Sequence, residues 1–279
     1  PGLREAIASY IDMDYEGPLN KIGNRVFQNV KKKGDKQSKI YTLINGKKVL
    51  IWDPVKLDPS GKTSTSGMSY TYDGNRAAIS VQKSGAEIST TYIIDTRTGK
   101  ILHKPIENVF GFRWTKDQKH AYFTLRSKED IDAQRPLKTY RWKVGDPIAK
   151  AQFIGTTSDA QNNYFIYDNR YGDVTFFGEG DFYSNKAYMR KTGTNEPGQL
   201  IYESKEFNAY PEAIGDKLYI LTNDKAPNFR LMTADVSNPE YKDWKVLVPE
   251  SETVMQSYAV TKNNIIIQDK KDIMSRLTL

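Results

Sequence analysis

Two histidines, His103 and His120, are the only imidazole groups in this sequence that could act as a general base near neutral pH. Neither follows or precedes a G-x-S-x-G motif, the turn that exposes a nucleophilic serine. The nearest approximation, residues 67–71 (GMSYT), lacks the final glycine. The sequence has no cysteine, which excludes thiolate nucleophiles, disulfide bonds and cysteine-ligated metals in this chain. We therefore predict no catalytic residue and no metal site here, with both histidines as structural or surface groups.

Three short segments resemble ligand-binding motifs, and each lacks a required residue. Gly61-Lys62-Thr63 matches the end of a phosphate-binding P-loop, but Lys56 stands where that motif needs its first glycine. Residues 12–17 (DMDYEG) imitate the start of a calcium-binding EF-hand loop, but Gly23 occupies the twelfth position, which needs a glutamate. Trp52-Asp53 is a single WD dipeptide without the Gly-His partner of a WD40 repeat. The sequence therefore predicts no cofactor.

The 279 residues carry a net charge of +7, and most of the basic residues are scattered. Only Lys31-Lys32-Lys33 forms a run, and no aromatic RNA-binding signature is present, so a lysine-rich surface explains the charge better than nucleic-acid binding does. No apolar run approaches the ~20 residues that a membrane-spanning helix needs. We predict neither nucleic-acid nor membrane partners. The sequence leaves the compartment unknown, with a cytoplasmic location favoured and a periplasmic one as the alternative.

The elements that must position these side chains are mostly strands. Residues 3–13 (LREAIASYIDM) have apolar residues at helical spacing and predict one amphipathic helix, which Gly17-Pro18 ends. Everything after that reads as strands, and six apolar strand cores recur at intervals of about 48 residues. The cores are Arg25–Phe27, Ala77–Val81, Ala121–Thr124, Tyr164–Tyr167, Leu218–Leu221 and Ile265–Ile267.

Most cores are followed by a turn, a second strand with alternating polarity, another turn and a third strand. These strand–turn–strand segments are residues 38–53, 89–104, 137–154, 185–202 and 228–248. A period of about 40–50 residues with about four strands per unit is typical of β-propeller blades. The alternative, a β-sandwich with coincidental spacing, would have shorter and more even strand spacing. The sequence therefore predicts an all-β propeller with about six blades and one short N-terminal helix.

Dispersed residues of this chain resemble the N-terminal propeller of the prolyl oligopeptidase family. The longest match is residues 222–231 (TNDKAPNFRL), followed by Asp235, residues 238–240 (NPE) and residues 244–250 (WKVLVPE). Three further stretches agree in the same order, within residues 37–54, 57–74 and 127–141. The oligopeptidase B branch of the family is the close alternative. Residues 84–88 (SGAEI) depart from the Ser-Gly-Ser-Asp-Trp that members often carry, which weakens any inference about contacts of that loop.

The resemblance implies a seven-bladed propeller that covers the active site of an α/β-hydrolase domain. In the family the Ser–Asp–His triad belongs to that hydrolase domain, which lies C-terminal to the propeller. The expected organisation is an N-terminal helical segment at 1–21, the tail of the hydrolase-associated N-terminus, and a propeller at 22–279 that stops before its last blade. The expected partners are the hydrolase domain and short peptide substrates, with no triad in this chain.

The resemblance also implies two side chains that line the substrate path. They are Tyr122, which follows Lys119-His120-Ala121, and Arg170, within Asn169-Arg170-Tyr171-Gly172. An arginine there could pair with a peptide carbonyl or carboxylate, and the alternative is a solvated arginine at a blade edge. The expected function is the gating and size-filter domain of a serine-type oligopeptidase. The alternative is a stand-alone propeller that binds a protein or a small ligand.

Overall fold

The computed structural model describes residues 2–181, 183, 185–194 and 196–279, without the side chains of Ala8 and Ser9. It consists of two compact units, Pro1–Thr156 and Thr157–Leu279. Asn195, which falls inside the predicted segment 185–202, lies outside the described residues.

Among its described residues the first unit contains two α-helices and twelve strands, and the strands form two antiparallel sheets. The first sheet has the order β1-β3-β4-β5 with β2 also paired to β3, and the second has seven strands in the order β12 to β6. The elements are α1 (Gly2–Ile11), β1 (Tyr15–Glu16), β2 (Asn20–Ile22), β3 (Arg25–Lys31), β4 (Lys39–Ile44), β5 (Lys47–Trp52), β6 (Thr63–Tyr70), β7 (Arg76–Lys83), β8 (Ser89–Asp95), β9 (Ile106–Trp114), β10 (His120–Leu125), α2 (Lys128–Asp132), β11 (Lys138–Lys143) and β12 (Gln152–Thr156).

The seven-stranded sheet is two successive strand sets, β6–β8 and β9–β12, joined where β8 pairs with the start of β9. Strand β7 is buried on both faces, because Ala77 and Ile79 pack towards the first sheet while Ala78 packs towards β9 and β10. A strand covered on both faces reads as a continuous apolar run, which is why this core is visible in the sequence.

Helix α2 is a feature that the sequence interpretation missed, since it assigned everything after α1 to strands. The Ser127 hydroxyl accepts a hydrogen bond from the Asp130 amide, and the Asp130 carboxylate accepts one from the Ser127 amide. This reciprocal capping box satisfies two backbone donors that a helix start leaves open. The S-x-x-D spacing was therefore a readable signal, although the helix has only five residues.

The described part of the second unit contains eleven strands in three antiparallel sheets, and the strands of each sheet follow one another in sequence order. The sheets are β13–β16, β17–β20 and β21–β23. Their strands are β13 (Asn163–Asp168), β14 (Val174–Gly180), β15 (Asn185–Lys191), β16 (Gln199–Ser204), β17 (Ala209–Ile214), β18 (Lys217–Thr222), β19 (Arg230–Asp235), β20 (Lys245–Val248), β21 (Val254–Val260), β22 (Ile265–Lys271) and β23 (Met274–Thr278).

One predicted strand core occupies a different place from its counterparts. In the other later strand sets the predicted core is the second strand, as with Ala77–Val81 in β7 and Leu218–Leu221 in β18, but Tyr164–Tyr167 belongs to β13, the first strand of its sheet. The equivalent strand is β14, where Phe176 is fully buried. Strands β13 and β14 are both rich in aromatic residues, so a core at residues 164–167 fits the repeat of about 48 residues as well as one in β14 does.

The predicted fold class is confirmed: nearly all regular structure in the described residues is antiparallel sheet, arranged in six strand sets with a helix at the N-terminus. Turn chemistry agrees as well. The β4–β5 hairpin turns at Asn45 and Gly46 with φ of 50° and 75°, as a type I′ turn requires. No helix among the described residues is long and apolar enough to cross a membrane.

We expect the sheet β21–β23 to be the least protected of the three in the second unit. All five residues of β23 are exposed, and Ile265–Ile267 in β22 are only partly buried, whereas Leu218 and Ile220 in β18 are fully buried. Backbone amides open more readily where few apolar contacts hold the strand. Native-state hydrogen exchange should therefore show faster exchange at residues 265–267 than at 218–221. Equal protection at the two strands would contradict this expectation.

Candidate functional site

Tyr122 lies in the interior of the seven-stranded sheet. It occupies β10, opposite Arg113 of β9 and Arg141 of β11, and it is 5% exposed. Its place as a residue that lines a substrate path remains a prediction. The sequence located the strand but gave no information on how deeply this ring is buried.

Arg170 lies in the tight turn between β13 and β14 of the second unit. The Asn169 side-chain oxygen accepts hydrogen bonds of 2.8 Å from the amides of Tyr171 and Gly172, which fixes the turn. Arg170 is exposed, and its guanidinium carbon lies 5.6 Å from the centroid of the Tyr171 ring. The structure therefore places Tyr122 and Arg170 in different units. The role of Arg170 towards a substrate is also still a prediction.

His120 closes a hairpin. Its Nδ1 lies 2.7 Å from Oδ2 of Asp117, whose carboxylate also accepts hydrogen bonds from the Thr115 hydroxyl and the Lys119 amide. Partial burial acts to raise the pKa of the Asp117 carboxyl, but these hydrogen bonds outweigh it and hold the pKa well below its usual range. This histidine therefore has a structural partner and a structural position.

His103 packs edge-on against Trp142, with 6.3 Å between ring centroids. Burial lowers the pKa of its imidazole, and the nearby positive charge of Arg76 lowers it further by a smaller amount. Among the described residues no group of three or more histidine, aspartate or glutamate side chains has the geometry to hold a metal ion.

A groove rich in hydroxyl groups lies between β6 and β9, at the first strands of two successive sets. It has a volume of about 240 Å³ and is bordered by the partly exposed ring of Phe110. The Ser80 hydroxyl lies 2.8 Å from that of Thr91, and the Ser66 and Ser89 hydroxyls are 3.4 Å apart. No histidine lines the groove, so its serines can offer hydrogen bonds but lack the imidazole base that activates a serine nucleophile. The hydroxyl-rich run TSTSGMSY (63–70) was a signal for this surface that the sequence interpretation did not use.

In two strand sets a backbone carbonyl of the first strand accepts a hydrogen bond from an aromatic side chain of the neighbouring set. In the first unit the Trp114 indole N–H donates to the Ser69 carbonyl of β6 at 3.0 Å. In the second unit the Tyr167 hydroxyl donates to the Pro211 carbonyl of β17 at 3.1 Å. Pro211 has no N–H to contribute to a ladder, as suits a strand at the end of a sheet. These bonds anchor the first strands, which in a propeller face the central channel.

A family model described as "Prolyl oligopeptidase, N-terminal beta-propeller domain" matches residues 2–279. The prolyl endopeptidase of Elizabethkingia miricola is 24% identical over 223 residues, covering 76% of this chain and 31% of the relative. Protease 2 of Moraxella lacunata is 24% identical over 212 residues, covering 74% of this chain and 30% of the relative. The chain therefore spans about a third of the length of these curated relatives.

Solved structures agree on the fold. A chain from a structural study of two prolyl endopeptidases superposes with a TM-score of 0.87 at 21% identity, covering 98% of this chain and 43% of that one. Oligopeptidase B from Leishmania major superposes with a TM-score of 0.80 at 18% identity, covering 99% of this chain and 41% of that one. The family model, matched along almost the whole length, is decisive: the chain belongs to the prolyl oligopeptidase family, of which it is the N-terminal β-propeller domain.

Proposed function

We propose that this chain is the gating and size-filter domain of a prolyl oligopeptidase-type serine peptidase that acts on short peptides. The observation that carries the proposal is the match of residues 2–279 to the propeller domain alone, in a chain that spans about a third of peptidase relatives. The chemistry would belong to an α/β-hydrolase domain. A propeller over such a site admits flexible peptides through its channel and keeps bulky folded proteins and water away from the acyl-enzyme.

Helix α1 supports a packed partner. Its apolar side chains face solvent, with Leu3 76%, Ile7 49%, Tyr10 75% and Ile11 65% exposed. Exposed apolar groups in such a row mark an interaction surface. We propose that residues 1–21 are the hydrolase-associated N-terminal segment and that residues 22–279 are the propeller. The α/β-hydrolase domain is the proposed occupant of this surface.

For the substrate path we retain Arg170 and Tyr122 as proposed lining residues. Arg170 has the stronger support, because its side chain is exposed on an ordered turn, where a guanidinium can bind a peptide carbonyl or carboxylate. Tyr122 is buried, so it would influence the substrate path indirectly, by holding the neighbouring strands β9 and β11 in position.

The gating proposal predicts a size dependence that a stand-alone binding propeller would not have. In the protein encoded by the complete reading frame, a prolyl reporter peptide should be cleaved, while the same segment within a rigid loop of a folded protein should resist. The isolated 279-residue chain should not react with a fluorophosphonate probe, because its sequence lacks a nucleophile elbow. Comparable cleavage of both substrates would overturn the size filter. Stoichiometric labelling of a serine in this chain would overturn the separation of gate and catalyst.

A further inference from the structure

Glu212 is a half-buried carboxyl group without a cationic partner. It lies on β17, the first strand of its sheet, directly opposite Tyr219 of β18. None of the ion pairs among the described residues includes it, although lysines and arginines are abundant in the chain. A carboxylate partly withdrawn from water without a cationic partner is costly, so its position calls for an explanation beyond folding.

One hydrogen-bonding side chain reaches Glu212 from the next sheet. The Tyr258 hydroxyl of β21 donates its proton to the Tyr219 carbonyl at 3.1 Å, and Tyr219 lies opposite Glu212 in the strand ladder. Tyr258 also lowers the pKa of the Glu212 carboxyl, against the larger effect of burial. The Tyr219 and Tyr258 rings lie 6.3 Å apart between centroids. A carboxylate has about four acceptor positions. Because the single Tyr258 proton is directed to the Tyr219 carbonyl, Tyr258 can serve at most one of these positions, and the others are available to a donor from a ligand.

The surroundings of Glu212 suit a positively charged donor. Tyr210, two residues earlier on the same strand, points to the same face and is 53% exposed. The face of a tyrosine ring attracts cations, which adds to the attraction of a carboxylate. The Tyr167 hydroxyl holds the Pro211 carbonyl between these two residues, so the strand that carries both is anchored.

The direction of the Glu212 pKa shift agrees with a carboxyl group that has no positive charge beside it. Burial raises the pKa of the Glu212 carboxyl above its usual range, against a smaller opposing effect of the hydrogen bond with Tyr258. A carboxyl whose pKa is raised by folding contributes no penalty below its unfolded pKa, and it costs stability as the pH rises through the folded value. A bound cation would offset that cost.

We propose that Glu212, which lies opposite Tyr219 and is flanked by the exposed Tyr210, binds a positively charged nitrogen group of a peptide. The proposal rests on the proposed function and deepens it, because it assigns the propeller a preference for cationic peptides. A lysine side chain and a peptide N-terminus both supply such an ammonium group.

The binding test uses the 279-residue chain and two small ammonium probes at constant ionic strength. n-Butylammonium stands for a lysine side chain and glycinamide for a peptide N-terminus. We expect at least one of them to shift the NMR signals of the Glu212 carboxyl carbon and the residue 210–213 amides in a saturable way that sodium ions do not reproduce. In Glu212→Gln binding should weaken about tenfold or more, since a hydrogen bond to a charged group is lost. The exposed Glu252→Gln removes the same charge in the same unit and should leave binding unchanged. Absence of a saturable shift, or equal binding by Glu212→Gln, would overturn the proposal.

A stability measurement separates this assignment from a structural role. If Glu212 is held for a ligand, Glu212→Gln should be as stable as the parent chain at low pH and more stable at neutral pH, where the parent carries the buried charge. A less stable Glu212→Gln at neutral pH would show that the carboxylate is needed for the fold, which would defeat the assignment. Failure of the size filter in the full-length protein is a separate result, because neither experiment on Glu212 depends on it.

Discussion

Replacing Phe176 with alanine is expected to lower the free energy of unfolding by about 3–5 kcal/mol, because the change removes a buried ring and leaves a cavity. Phe176 is fully buried in the main cluster of the second unit, opposite Met189 in the strand ladder and 5.5 Å from the Tyr167 ring between centroids. The measurement is urea unfolding of Phe176→Ala and the parent chain, followed by tryptophan fluorescence.

Phe153→Ala provides the matched control, since the same atoms are removed from a ring that is 52% exposed. Its effect should remain below about 1 kcal/mol. Similar losses for the two variants would mean that the packing described around Phe176 is wrong. If the free energy of unfolding falls linearly with urea concentration at the parent's slope, both variants still unfold as the parent does.

Replacing Asp224 with alanine is expected to lower the free energy of unfolding by about 3 kcal/mol, because it leaves a largely buried positive charge without its partner. The Asp224 carboxylate is 3.0 Å from the Arg230 guanidinium and accepts a hydrogen bond of 2.9 Å from the Tyr241 hydroxyl. The Arg230 side chain is 20% exposed, and its Nε already lacks a hydrogen-bond partner. Thermal and urea unfolding of Asp224→Ala measure the loss.

Two further variants make the Asp224 result interpretable. Asp216→Ala removes the same charge from an exposed position in the same unit and should be nearly neutral. The double variant Asp224→Leu with Arg230→Met should recover part of the stability, because two apolar groups replace a desolvated pair. If Asp224→Ala loses no more than Asp216→Ala, the ion pair has no role in stabilising this loop.

The Asp224 pair also explains why the sequence was informative in this region. Residues 222–231 carry the family resemblance, and their side chains form local bonds: the Thr222 hydroxyl accepts a hydrogen bond from the Asp224 amide, and the Arg230 guanidinium donates to the Asp224 carboxylate. Ala226 is 1% exposed. A loop with such short-range requirements constrains residue types at fixed spacing, so it can be read from one sequence.

Features that depend on neighbouring strands were harder to read. The run at 164–167 has the composition of a core strand, yet only pairing with β14 shows that it is the first strand of its sheet. Glu212 was not predicted as a site residue, because a lone glutamate in an alternating strand resembles a solvated residue. Its half-buried position depends on strand pairing, which places it opposite Tyr219, and on Tyr258 of the next sheet, which bonds to the Tyr219 carbonyl. The burial of Tyr122 was likewise decided by its neighbours in β9 and β11.

Two hydrogen bonds limit how whole strand sets could be exchanged or duplicated. They are the bonds from Trp114 to the Ser69 carbonyl and from Tyr167 to the Pro211 carbonyl. Each joins a strand set to the adjoining set through a side chain that only one particular neighbour supplies. Strand sets that share a shape are therefore not interchangeable modules. A set moved to another position would lose the aromatic hydrogen-bond donor of its former neighbour, and the carbonyl of its first strand would lack a hydrogen bond there. Duplication and exchange of whole sets, the simplest route by which repeat proteins change length, would here have to carry the aromatic residue of the adjoining set as well.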